Sequence, residues 1–179
     1  MMRSVFRLFA ALSGALLLVA LAVVPASAEP GPDEVVQGEL FLDCASLDQE
    51  EWEYAVDNGY CEEPEGDATP EDVRWGPCGY SYLYIYDEGY SQARWDYGYG
   101  SILGATISHD LEISWTNHDT QVSDTFWDDV RGFPTPAYSS FYERSTGRGE
   151  VTTSMMGTVT LAWGGNCQVE VPTARAEIT

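Results

Sequence analysis

Tyrosine occupies every second position from Tyr80 to Tyr86, with Ser81, Leu83 and Ile85 in between. Side chains alternate between the two faces of a strand. The stretch therefore predicts a strand with a tyrosine face and a face carrying Leu83 and Ile85. Continued to Tyr99 it predicts a β-hairpin over Cys78–Tyr99, for which two turns compete. A two-residue loop at Glu88-Gly89 sets Tyr82 against Trp95 and Leu83 against Arg94. A three-residue loop, Asp87-Glu88-Gly89, sets Leu83 against Ala93 and Tyr82 against Arg94, with Gly89 left-handed in a G1 bulge. The second is preferred because it gathers Leu83, Ile85, Ala93 and Trp95 on one apolar face. Tyr80, Tyr82, Tyr84 and Tyr86 then share the other face with Gln92, Arg94 and Asp96, and a one-residue slip would exchange the faces. The tyrosine face is either an open binding surface or half-buried sheet packing.

Leu103, Ala105, Ile107, Leu111, Ile113 and Trp115 fall on one parity and polar residues on the other, predicting a half-buried strand with a bulge near Ser108-His109-Asp110. Asn117 to Pro136 reads mostly as loop, though its length suggests a concealed strand near Val122. Further strands are expected around Ala137–Arg144, Val151–Met156 and Thr158–Trp163. A last hairpin turns through Gly164-Gly165-Asn166 to pair Trp163 with Cys167 and Leu161 with Val169. Short strands spaced by glycine and proline turns imply an all-β fold, an antiparallel β-sandwich or partly open barrel.

Before the hairpin the pattern changes. Residues 29–43 read as an acidic extended arm, since Glu29 to Gly38 offer little to bury beyond Val35 and Val36. Ser46 and Gln49 have capping-box spacing, Trp52, Ala55 and Val56 follow at helical spacing, and Asn58-Gly59 is a C-cap signal. A short helix over 47–57 is expected, stapled between cysteines, followed by the acidic linker Glu62–Asp72. Residues 44–72 thus form a helical appendage and the β domain begins at Val73. At the start of the chain, Arg3 and Arg7, the apolar run Leu8–Val24 and the A-x-A site at Ala26–Ala28 predict a signal peptide over 1–28. A secreted, extracellular protein without a membrane span after cleavage is expected.

The composition narrows the partners. There are 29 acidic residues against eight basic ones, a net charge of −21, and Arg3 and Arg7 leave with the leader. Such a surface repels phosphate backbones and anionic membranes, which argues against nucleic acid and lipid and for basic protein surfaces. Every basic residue is arginine, as GC-rich coding in an exporting bacterium would produce. Cys44, Cys61, Cys78 and Cys167 are an even set in an exported chain, and therefore two disulfides. Three pairings are possible. Cys44–Cys61, closing a short loop, and Cys78–Cys167, tying an early strand to a late one, are favoured. No C-x-x-C unit supports zinc.

Signals for catalysis are weak. No G-x-S-x-G elbow is present. Each histidine precedes an aspartate, His109-Asp110 and His118-Asp119, but neighbours on a strand face opposite ways and cannot form a relay. His109 shares the core-facing parity. Asp119, Asp124, Asp128 and Asp129 crowd one stretch without the D-x-D-x-D-G spacing of a calcium loop, so no metal or cofactor is expected. With so many carboxylates, a pair suited to glycoside hydrolysis carries no information.

Three stretches together resemble a known group: EEWEYAVDNGYC ending at Cys61, C-G-x-S-x-L-x-I-Y opening at Cys78, and W-G-G-x-C at Trp163–Cys167. They resemble small exported disulfide-bonded β proteins of high-GC Gram-positive bacteria, a likeness that brings no activity with it. More distantly, the plan of arm, stapled helix and β domain is similar to adaptor subunits of secreted antibacterial toxin assemblies. The expectation is a non-enzymatic binding or adaptor module, engaging a protein through the arm and through Tyr80, Tyr82, Tyr84, Tyr86 and Arg94. The alternatives are a carbohydrate-binding module using the same tyrosines and a small secreted hydrolase.

Overall fold

The computed structural model describes residues 34–62, 75–170 and 173–179. The expected leader, residues 29–33 of the arm and nearly all of the acidic linker lie outside them. The strands are β1 (Glu34–Asp43), β2 (Trp75–Gly89), β3 (Gln92–Ser101), β4 (Thr106–Asn117), β5 (Val122–Thr135), β6 (Ala137–Ser145), β7 (Gly149–Leu161), β8 (Asn166–Glu170) and β9 (Ala174–Ile178). Helix α1 (Gln49–Asp57) follows a 3₁₀ turn at Cys44–Ser46. Every strand pair is antiparallel, in the order β5-β4-β7-β8-β1-β2-β3-β6. β9 pairs with the first half of β7 and β8 with the second, so the two lie end to end. The sheet is nearly closed as a barrel around Leu83, Ile85, Trp95, Leu111, Ile113, Met155 and Val159.

The ladder stops at β5 and β6, and side chains bridge this seam. Phe126 stacks on Tyr142 with centroids 4.2 Å apart, Arg144 pairs with Asp124, and the Tyr138 hydroxyl donates to Asp128 at 2.7 Å. An inward-pointing carboxylate on an edge strand discourages pairing with other chains. Asp124 and Asp128 are such residues on β5.

The expected arm is corrected. Residues 34–43 are not a free extension but strand β1, hydrogen-bonded to β8 on one side and β2 on the other. Leu40 and Leu42, which the arm reading passed over, are fully buried. The β structure therefore starts before the helix, and the boundary at Val73 does not divide it. In the stretch 117–136 the concealed strand suspected near Val122 is present, but it runs all the way from Val122 to Thr135 as β5, so the reading as mostly loop is corrected. The expected helix start moves too, since Asp48 is the N-cap: its carboxylate accepts from Glu51 N while the Glu51 carboxylate accepts from Asp48 N.

Both hairpins keep their expected faces and change register. Leu83 faces Tyr97 and Ile85 faces Trp95, because the β2–β3 turn is Tyr90-Ser91 with the bulge at Glu88. Tyr90 and Ser91 both have left-handed φ, 54° and 64°, the geometry of a type I′ turn. Without glycine this conformation needs support. Ser91 N donates to Thr179 O, and Ser91 O accepts from Thr146 N and the Ser145 hydroxyl. In the last hairpin Val159 faces Cys167 and Gly157 faces Val169. The bulge expected near Ser108 falls at Ile107, which turns outward, so Thr106 and His109 both point in.

The disulfides are Cys44–Cys61 and Cys78–Cys167. Cys78 is skipped in the β1–β2 ladder, where Leu40 faces Gly79 and Phe41 faces Pro77. The bulge turns the sulfur inward, past β1, to Cys167 on β8. This bridge spans 89 residues of sequence. Replacing both cysteines with alanine should cost about 2–5 kcal/mol, as in other small disulfide-bonded domains. Denaturant titration of the double variant checks this, and a midpoint at the wild-type value would contradict it.

Candidate functional site

Two places concentrate chemistry-bearing side chains, one outside the barrel and one within. The outer one is the tyrosine face. Tyr80 is 54% exposed, and Tyr82, Tyr84 and Tyr86 are half-buried. The rings form a row, with centroids 5.3 Å apart for Tyr82–Tyr84 and 6.4 Å for Tyr84–Tyr86. Their cross-strand partners explain how they lie. Tyr80 faces Gly100 and Tyr82 faces Gly98. A Cβ on Gly100 would sit 2.6 Å from the Tyr80 ring, and one on Gly98 would sit 2.6 Å from the Tyr82 hydroxyl. The glycines thus let the rings lie down over the backbone of β3, covering polar groups that would otherwise meet water.

Arg94 belongs to this face but not beside Tyr82. It faces Tyr86, and its guanidinium lies 4.6 Å from the Phe141 ring centroid on β6. Asp96 holds it at 2.7 Å and Glu143 at 3.7 Å. The hydrogen bond it donates to Asp96 raises its already high pKa. Phe141 is 59% exposed and extends the aromatic surface across β6. Helix α1 does not cover the tyrosines. Tyr54 packs on Trp163 at 5.2 Å and Tyr60 at 6.2 Å, so the helix sits on the β7–β8 turn.

Inside, beside the seam, Asp128 collects hydroxyl donors from β3 and β6, and β4 sets an imidazole next to it. The Tyr97 and Tyr138 hydroxyls donate to its Oδ2 at 2.8 and 2.7 Å, and His109 Nε2 lies 3.6 Å from its Oδ1. His109 Nδ1 is 3.1 Å from the Tyr99 hydroxyl, which is also 3.2 Å from Thr106 Oγ1. Burial above all raises the phenol pKa values of Tyr97, Tyr99 and Tyr138, and the Asp128 carboxylate adds to it. Burial lowers the His109 pKa despite the opposing pull of Asp128. At neutral pH the folded protein therefore holds His109 neutral. His109-Asp110 forms no relay, as expected from strand alternation; the carboxylate that faces the imidazole is Asp128, on the neighbouring strand. His118 is exposed, with Nε2 2.9 Å from the Thr152 hydroxyl.

The Asp128 cluster escaped sequence reasoning because the stretch was read mostly as loop and the strand suspected near Val122 was not extended to Asp128. Its signal was nevertheless present, since Asp124, Phe126, Asp128 and Val130 alternate and point inward. The four aspartates of that stretch go separate ways. Asp124 meets Arg144, Asp129 meets Arg131, Asp128 turns inside and Asp119 sits under Gly149. No group of three or more metal-ligating side chains occurs among the described residues.

A depressed histidine pKa makes stability depend on pH. As pH falls through about 6.5, the ordinary histidine value, the unfolded chain takes up a proton that the folded chain refuses. Stability should decline over that interval and below, and His109→Gln should flatten that part of the curve. Urea midpoints at pH 7.5 and 5.5 test this; parallel shifts in the two proteins would show that His109 contributes nothing.

No protein-family model matches the chain, and no curated protein matches it significantly.

Proposed function

We propose that this is a secreted, non-enzymatic binding module that engages a protein partner through the outer tyrosine face. One observation carries the reading. The row from Tyr80 to Tyr86, extended by Phe141, lies on the outside of the barrel while the helix docks elsewhere. Tyrosine and arginine are the residues that dominate protein interfaces. Glu39, Glu88, Asp96 and Glu143 rim the surface, and the chain as a whole carries −21, so the partner surface is basic. The disulfides fit an oxidising environment, and no helix among the described residues is long and apolar enough to cross a membrane. The arm no longer takes part in this reading, because β1 is buried in the sheet.

A second reading, a carbohydrate platform, has its own support. Tyr80 lies over Gly100 and leaves the opposite side of its ring open, as a sugar-stacking residue requires. Tyr82→Ala and Tyr84→Ala decide between these readings and neither. Each should keep the cooperative unfolding transition and weaken partner binding by about 2 kcal/mol or more if the rings are interface anchors. Immobilised wild-type and variant proteins would be compared on culture-supernatant proteins and on a panel of insoluble polysaccharides. Retention of polysaccharide alone supports the second reading. Equal retention by wild type and both variants removes the tyrosine face from either.

A further inference from the structure

Strand β5 carries two more residues than its partner where the barrel wall meets the seam. Thr106 faces Thr135 and Ser108 faces Arg131, so the intervening Gly132-Phe133-Pro134 bulges away, with Gly132 at φ 89°. Bulges at sheet edges commonly open a site. Behind this one lies a pocket of about 180 Å³ whose wall includes Tyr99, Thr106, His109, Val130, Phe133 and Tyr138. Phe133, 76% exposed, stands at its rim.

We propose that this pocket binds a small neutral molecule of one aromatic ring bearing a hydroxyl, a simple phenol. Size is the first argument. An apolar cavity of about 150 Å³ accepts benzene, whereas sites for drug-sized ligands start near about 300 Å³. Chemistry of the wall is the second. Three aromatic rings, an imidazole and the Val130 side chain offer faces and edges to a ring, and no charged side chain lines the space. Asp128 lies behind His109 with its Oδ2 already accepting two hydroxyls, and it disfavours anions.

The third argument is a shortage of hydrogen bonds. The Thr106 hydroxyl donates to Thr135 O at 2.7 Å, which spends its proton. The Tyr99 hydroxyl either donates to His109 Nδ1 or accepts from it and donates to Thr106 Oγ1, according to the imidazole tautomer, so the unmet bond lies at Nε2 in both. His109 Nε2 is fully buried without a hydrogen-bond partner, since Asp128 at 3.6 Å is beyond bonding reach. Buried polar atoms in folded proteins are nearly always paired. Nε2 is sealed from the pocket in the unliganded fold, so a ligand hydroxyl reaches it through a local side-chain shift, and there it can donate or accept in either tautomer of the imidazole.

Phenol itself is the probe, titrated into the intact disulfide-bonded protein while methyl NMR signals are followed. The expected result is a saturable shift confined to Ile107 and Val130, which both line the pocket, and to neighbouring methyls, with cyclohexanol, benzoate and tetramethylammonium weaker. Val130→Trp, which fills the space, should bind at least about tenfold more weakly, while Tyr82→Ala on the outer face should bind as the wild type does. The wild-type map stands by itself should the tryptophan variant not fold. An absent or non-saturable response, shifts centred on the outer tyrosines, or equal binding of benzoate or tetramethylammonium would overturn the proposal. Loss of partner binding in Tyr82→Ala with phenol binding intact separates this site from the outer one.

Discussion

Deleting residues 34–43 should leave the chain without a cooperative fold. β1 lies inside the sheet, so its removal strips hydrogen-bond partners from β2 and from β8 at once. It also takes Leu40 and Leu42 out of the core, each worth about 1.5–3 kcal/mol of burial. Against a net stability of about 5–15 kcal/mol for a domain, that loss and the broken ladders together are decisive. The Cys78–Cys167 bridge cannot compensate, because it restrains the unfolded chain without restoring a strand between β2 and β8. A free arm over Glu29 to Gly38, with little to bury, would instead come off with almost no effect on melting. Near-ultraviolet circular dichroism and urea titration distinguish the two outcomes: a sharp transition near the wild-type midpoint would mean that β1 is dispensable.

What the pattern of residues revealed, and what it hid, has a common cause. Alternation identifies which side chains share a face, and Leu83, Ile85, Ala93 and Trp95 are all buried as their parity requires. Parity is unchanged when a hairpin's partner slides by an even number of residues. The apolar pattern therefore excluded the two-residue loop at Glu88-Gly89 but could not separate the three-residue loop Asp87-Glu88-Gly89 from a turn at Tyr90-Ser91. The last hairpin failed in the same way, with Val159 rather than Trp163 facing Cys167. Glycine at position 89 attracted the turn assignment. The left-handed conformation of Tyr90 and Ser91 is held by hydrogen bonds from distant segments, to Thr179, Ser145 and Thr146, which no local rule registers.

The two candidate sites were legible to different degrees for a related reason. The outer face is a property of one hairpin, so Tyr80, Tyr82, Tyr84 and Tyr86 could be grouped from spacing alone. Only their neighbours across strands, Gly98, Gly100 and Phe141, waited for the fold. The inner cluster joins β3, β4, β5 and β6 through Tyr97, Tyr99, His109, Asp128 and Tyr138. Its central residue looks like one more carboxylate in an acidic chain. An aspartate at an inward position is the informative kind, because burying a charge is costly unless donors surround it. It was masked because the strand that makes Asp128 inward-facing was not recognised.

Trp95→Ala should produce the largest loss among single substitutions, about 3–5 kcal/mol as for other buried tryptophans. Trp95 is fully buried and touches Trp115 on β4, Phe126 on β5 and Tyr142 on β6, at centroid distances of 5.9, 5.7 and 6.2 Å. Those are the rings that close the seam where backbone pairing stops. A cavity there removes the support beneath the Phe126–Tyr142 stack as well as the indole's own burial. In a domain of this size the loss corresponds to a fall in melting temperature of about 6–20 °C. The indole Nε1 is buried without a hydrogen-bond partner. Trp95→Phe sheds that unpaired donor, a relief of about 1–3 kcal/mol that offsets part of the lost contact. Phenylalanine should therefore cost less than half of what alanine costs. Hydrogen exchange would show the remaining damage concentrated in β5 and β6, whose facing edges are joined by side chains alone. A Phe variant as unstable as the Ala variant would place an unrecognised partner at Nε1. An Ala variant with unchanged stability would mean that the seam does not depend on Trp95.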